Sequence, residues 1–105
     1  MNDQYLDAFV RESEEEITKL NNSLLALETD PGDEAAMDQI FRTAHTLKGN
    51  FGAMGFEDAS DLAHAIEDLL DEMRQGEMDV TADRMDLVFA GVDQIEVIVR
   101  EIDQG

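Results

Sequence analysis

The chain has 105 residues, 43% of them apolar, the size and composition of one globular domain with one core. It carries 26 acidic and 7 basic side chains, a formal net charge of −19, so phosphate backbones and anionic lipid are repelled and neither nucleic acid nor a membrane is an expected partner. The absence of cysteine excludes disulfides, thiolate metal sites and cysteine nucleophiles, and with no apolar run near ~18 residues and no signal-like start in Met1–Phe9, a cytoplasmic, monomeric domain is expected.

The first predicted helix covers about residues 3–28. Leu6, Phe9/Val10, Ile17, Leu20, Leu24 and Leu27 recur at helical spacing and mark one face. Asn2 or Asp3 can cap its start. The run Thr29-Asp30-Pro31-Gly32-Asp33 stops it and caps a second helix, about 33–52, with a stripe of Met37, Ile40, Phe41, Ala44, Leu47 and Phe51. Gly52-Ala53-Met54-Gly55 ends that helix. A third, about 57–75, carries Ala59, Leu62, Ile66, Leu69/Leu70 and Met73, with Gly76 just past its end. Thr81 caps a fourth, about 82–103, striped by Met85, Val88, Val92, Ile95, Val99 and Ile102.

No segment alternates apolar and polar residues as a half-buried strand would. Connections of roughly four to six residues favour antiparallel neighbours. The expected fold is all-α, an antiparallel up-down four-helix bundle forming a single domain over 1–105. The abrupt Asp103-Gln104-Gly105 end reads as that of a fragment of a longer chain. Helical periodicity argues against disorder, the common state of acidic chains. The acid excess points instead to a halophile, since molar salt shortens the Debye length to ~3 Å and makes such self-repulsion tolerable.

The most informative stretch runs from His45 to Phe56. His45 sits one position past the apolar stripe, where it can be reached. Lys48, one of only two lysines, lies three residues on along the same side, followed by Gly49 and then Gly52. Glycine inside a helix costs ~1 kcal/mol relative to alanine, and two on one face point to close approach by a partner. In the antiparallel third helix, His64 lies level with His45 and Glu67 lies one turn beyond. Side chains lean toward the N-terminus of their own helix, so His45 and Glu67 converge while His64 leans away. A carboxylate on one ring nitrogen fixes the proton there and orients the ring, leaving the other nitrogen free to attack phosphorus. Nδ1 is thus assigned to Glu67, Nε2 to a phosphoryl group, and Lys48 to the charge on its oxygens.

His45-x-x-Lys48-Gly49, the glycines through Gly55-Phe56, and Leu62-Ala63-His64-Ala65-Ile66-Glu67-Asp68-Leu69-Leu70-Asp71 resemble the N-terminal histidine phosphotransfer domain of CheA-type chemotaxis kinases, over about residues 3–103. The resemblance implies that His45 is phosphorylated by the kinase's own ATP-binding domain, elsewhere on the chain, with ATP and Mg as donor. It implies that the group passes to an aspartate of a response regulator of the CheY/CheB type. By position His45 matches the phosphorylated histidine, Lys48 the lysine beside it, Glu67 the glutamate on the ring, and His64 a polar neighbour. Asn50-Phe51 departs from the small residues frequent there; Phe51 fits the core stripe and is read as packing. With the acid excess, the resemblance implies a halophilic archaeal source.

No cofactor is expected in the domain itself: without strands there is no strand-borne phosphate loop, and hence no ATP site. Three other readings stand beside this one. They are a free-standing phosphorelay intermediate, a helical docking module without chemistry, and a metal site built from His45, His64 and Glu67.

Overall fold

The computed structural model describes residues 3–104. Four helices follow one another: α1 (Asp3–Thr29), α2 (Glu34–Ala53), α3 (Glu57–Arg74) and α4 (Ala82–Gln104). The expected bounds hold to within one or two residues. The cap expected at Asn2 or Asp3 lies outside the described residues and side chains.

The remaining helix ends follow from short-range chemistry. Asp33 caps α2 by accepting a hydrogen bond from the Ala36 amide at 3.0 Å. Thr81 does the same for α4, its Oγ1 accepting from the Arg84 amide at 3.2 Å. Both α2 and α3 close with the paired bonds of a Schellman motif: the Phe56 amide reaches the Phe51 carbonyl and the Glu77 amide the Glu72 carbonyl. That geometry puts Gly55 and Gly76 at φ 81° and 79°, which a Cβ would oppose. Helix α2 therefore ends at Ala53, and Gly55 rather than Gly52 is the glycine that terminates it.

Each helix packs on its neighbours in a ring, α1 on α2, α2 on α3, α3 on α4 and α4 on α1. The body measures 43 × 20 × 20 Å, close to the length of α1. The apolar stripes meet inside: Leu20, Leu24, Leu27, Ile40, Leu47, Phe51, Leu70, Val88 and Val92 are all fully buried. Phe51 is thus core, as its place in the stripe implies. Phe9 of α1 packs edge-on to Phe51 and against Phe56, with centroids 5.7 and 5.4 Å apart. This aromatic group pins the α2–α3 turn to α1. Near the middle of the bundle a Cβ on Gly91 of α4 would stand 2.9 Å from Cδ1 of Ile66, so α4 lies close against the residue preceding Glu67.

One core position breaks the apolar pattern. Ser13 of α1 is fully buried and its hydroxyl has no hydrogen-bond partner. Alanine removes that unpaired group and favours the helix. Ser13→Ala should raise the free energy of urea unfolding by about 1 kcal/mol. A loss of stability would mean the hydroxyl is satisfied.

Candidate functional site

The antiparallel register of α2 and α3 brings distant residues together. As positions fall along α2 they rise along α3: Lys48 meets Ser60 and Glu67, His45 meets Glu67, and Phe41 meets Arg74. Ala44 and Leu47 bury the inner side of α2, and His45 emerges at its edge with a side chain 63% exposed. Glu67 is buried beside Ile66. Oε2 of Glu67 is hydrogen-bonded to Nδ1 of His45, and its Oε1 accepts a 2.7 Å bond from Nζ of Lys48. Both oxygens of one buried carboxylate are therefore engaged by residues one turn apart on the facing helix. The Ser60 hydroxyl donates to the Lys48 carbonyl at 3.1 Å, fixing the two helices together one turn nearer the loop.

Burial alone pushes the Glu67 carboxyl pKa up, since it penalises the charged form. The hydrogen bonds from Lys48 and His45, with their charges, outweigh that and hold it below its ordinary value. A depressed folded-state pKa stabilises the fold above the ordinary carboxylate range, and this stabilisation drains away as the pH falls through the depressed value. Near neutrality Glu67 is an ion, and it can hold a proton on Nδ1 without taking it. Nε2 of an exposed ring is left to react.

The other candidates fall in different places. His64 is exposed, its Nε2 3.4 Å from Oδ1 of Asp68 on its own helix, and it does not join His45. The trio weighed as a metal site is not gathered. Among the described residues the grouping within reach of one ion is His64, Glu67 and Asp68, without His45, and both oxygens of Glu67 are already engaged. Gly49 is exposed with open space where a Cβ would stand, whereas a Cβ on Gly52 would touch Oγ of Ser60 at 3.4 Å. The backbone is thus open to an outside partner at Gly49 and lies against the chain's own α3 at Gly52.

One feature beside His45 is invisible in a single helix. A cleft there is lined by Asp38, Phe41, Arg42, His45 and Arg74. The Arg74 guanidinium lies 3.9 Å over the Phe41 ring and pairs with Asp71 at 2.8 Å. Spacing alone marks Phe41 as core; in the bundle it is half-buried, roofed by a cation from α3.

The family model of the Hpt domain matches residues 4–104. The chain belongs to the Hpt domain family. Among solved structures, this Hpt domain is similar to the CheA phosphotransferase domain from Thermotoga maritima, with TM-score 0.87 and 42% identity over 96% of this chain and 93% of that one. It also matches the solution structure of a histidine phosphotransfer domain of CheA, with TM-score 0.92 and 42% identity, covering 99% of this chain and 78% of that one. Among curated proteins, it is 74% identical over 100 residues to the chemotaxis protein CheA of Halobacterium salinarum, covering 95% of this chain and 15% of that protein. The Hpt domain thus spans about a seventh of that relative. These matches bear out the fold and the CheA resemblance, and the Halobacterium relative supports the halophilic archaeal source implied by the acid excess. None of the described helices is long and apolar enough to cross a membrane.

Proposed function

We propose that this Hpt domain is the phosphoryl carrier of a cytoplasmic CheA-type chemotaxis kinase, with His45 as the carrier. The supporting observation is the bond from the buried, ionised Glu67 to Nδ1 of an otherwise exposed ring. Nδ1–H donates to Glu67, so the Nε2 lone pair faces solvent. It forms the N–P bond as the bond from the γ-phosphorus of ATP to its bridging oxygen breaks, and the electron pair leaves on ADP. The ring becomes cationic, with its proton still on Nδ1, and Glu67 offsets that charge. On transfer, an aspartate oxygen of a CheY/CheB-type regulator forms its bond to phosphorus and the N–P pair returns to Nε2. Lys48 holds Glu67 ionised and brings a cation to the phosphoryl oxygens. Gly49 leaves the backbone low where the partner approaches, Gly52 instead lets α2 lie against Ser60 of α3, and His64 stands on the flank of that approach. ATP and Mg act on a kinase domain elsewhere in the longer protein of which this domain is one part.

The test is phosphoryl uptake from labelled ATP through a separate CheA kinase domain, comparing the wild type with His45→Gln. Label on the wild type alone supports the proposal; equal labelling ends it.

Glu67→Ala should slow uptake by on the order of 10- to 100-fold, the usual effect of removing the group that orients an imidazole. The fold should survive, because the Lys48 ammonium can turn to water. Unchanged uptake, with an unchanged circular dichroism spectrum, would remove Glu67 from the chemistry.

A further inference from the structure

Seven basic residues are dispersed among 26 acids, yet three of them, Arg42, Lys48 and Arg74, surround His45. They are not equivalent. Lys48 approaches from the Glu67 side, where its ammonium is bonded to Oε1, and it does not line the cleft. Arg74 is held by Asp71 and by the Phe41 ring. Arg42 is exposed, lines the cleft with His45, and makes no ion pair among the described residues. Asp38, one turn before Arg42, also lines the cleft but is not within ion-pair distance of it.

Arg42 and His45 are three residues apart on α2, so their side chains leave the same side of the helix about 5–6 Å apart. His45 leans toward the N-terminus of α2, that is toward the turn that carries Arg42. With Nδ1 committed to Glu67, a phosphoryl group on Nε2 adds close to two negative charges and three acceptor oxygens at the mouth of this cleft. A guanidinium offers planar, paired N–H donors to such oxygens, which an ammonium cannot.

We propose that Arg42 binds the phosphoryl group carried on His45, from the cleft side opposite Lys48, with the Arg74–Phe41 pair forming the cleft's far wall. This rests on the reading of His45 as the phosphoryl carrier. Free of an internal partner, Arg42 turns onto the phosphoryl oxygens as the N–P bond forms and releases them as it breaks.

The test is the ³¹P NMR titration of the phosphorylated domain alone, after removal of the kinase domain, in wild type, Arg42→Ala, Arg42→Lys and Arg74→Gln. A nearby cation lowers the pH at which the phosphoryl group takes its proton, so Arg42→Ala should move the midpoint up by about half a pH unit. Arg42→Lys should recover most of that shift, Arg74→Gln should move it less, and uptake from ATP should fall about tenfold in Arg42→Ala. An unchanged midpoint in Arg42→Ala overturns the proposal, as does a larger shift in Arg74→Gln than in Arg42→Ala. Failure of the underlying reading has a different signature: label that persists in His45→Gln, or a wild type that takes none.

Discussion

His45→Gln should take up no acid-labile phosphate from ATP through a CheA kinase domain, while His64→Gln should be labelled as the wild type is. The expectation of complete loss comes from the lack of a substitute. The only other histidine, His64, has an exposed ring whose nearest carboxylate is the exposed Asp68, 3.4 Å away on the same helix. Nothing buried and ionised fixes the proton on one of its nitrogens. The variant should also fold normally. Position 45 is exposed, a glutamine amide can still donate to Glu67, and Lys48 retains its bond to the same carboxylate. Surface changes of this kind cost within ~0.5 kcal/mol. Loss of label with an unchanged unfolding midpoint therefore reports chemistry. Label that moved to His64 would show that position on the bundle, rather than the His45–Glu67 pair, selects the nucleophile.

The degree to which this site can be read from one sequence depends on how local its causes are. Helix bounds are local, and Asp33, Thr81 and Gly76 act within a few residues of themselves. The His45–Glu67 pair is long-range, yet a short connection and the common lean of helical side chains are enough to place it. That same lean separates His64 from His45. Gly52 and Gly55 are harder, because either could end a helix, and the choice depends on which carbonyls the turn satisfies. Phe56 is used twice, closing α2 and starting α3, where no side-chain cap is made. The cleft is out of reach of spacing arguments. Phe41 fits the apolar stripe, and nothing in α2 says that Arg74 will cover it from α3. Ser13 falls in the gap between Val10 and Ile17, where the stripe is silent. Gly91 is an interior glycine whose reason is Ile66 on another helix.

The site and the surface make opposite uses of charge. Around Glu67 two bases converge on one buried acid, and its ionisation is what the proposed phosphoryl transfer requires. Elsewhere the Lys/Arg–carboxylate pairs among the described residues are two, Lys19–Glu16 and Arg74–Asp71, so most of the 26 acids have no cation beside them. An anionic partner therefore meets three bases, Arg42, Lys48 and Arg74, grouped beside His45 on a domain otherwise dominated by acids. Orientation toward His45 follows from that contrast, and it weakens as salt rises.

In 0.1 M salt the domain should be largely unfolded, and 2 M KCl should refold it. Glu12, Glu15 and Glu16 stand three and four residues apart on α1, as do Asp68, Asp71 and Glu72 on α3, and such like-charged neighbours each cost a few tenths of a kcal/mol. The larger part is collective. Nineteen charges on a body of 43 × 20 × 20 Å repel one another by on the order of 10 kcal/mol more at a Debye length of ~10 Å than at ~3 Å. The unfolded chain spreads the same charge over a greater volume and suffers less. A typical domain has only about 5–15 kcal/mol of stability to set against that difference. Helical circular dichroism followed through a KCl titration measures the effect, and equal unfolding midpoints at 0.1 and 2 M would refute it. Two exposed changes on α1, Glu12→Gln and Glu15→Gln, separate repulsion from general salting-out. If repulsion sets the requirement, the double variant refolds at lower KCl; if burial of apolar surface sets it, the transition stays where it is, because neither side chain belongs to the core.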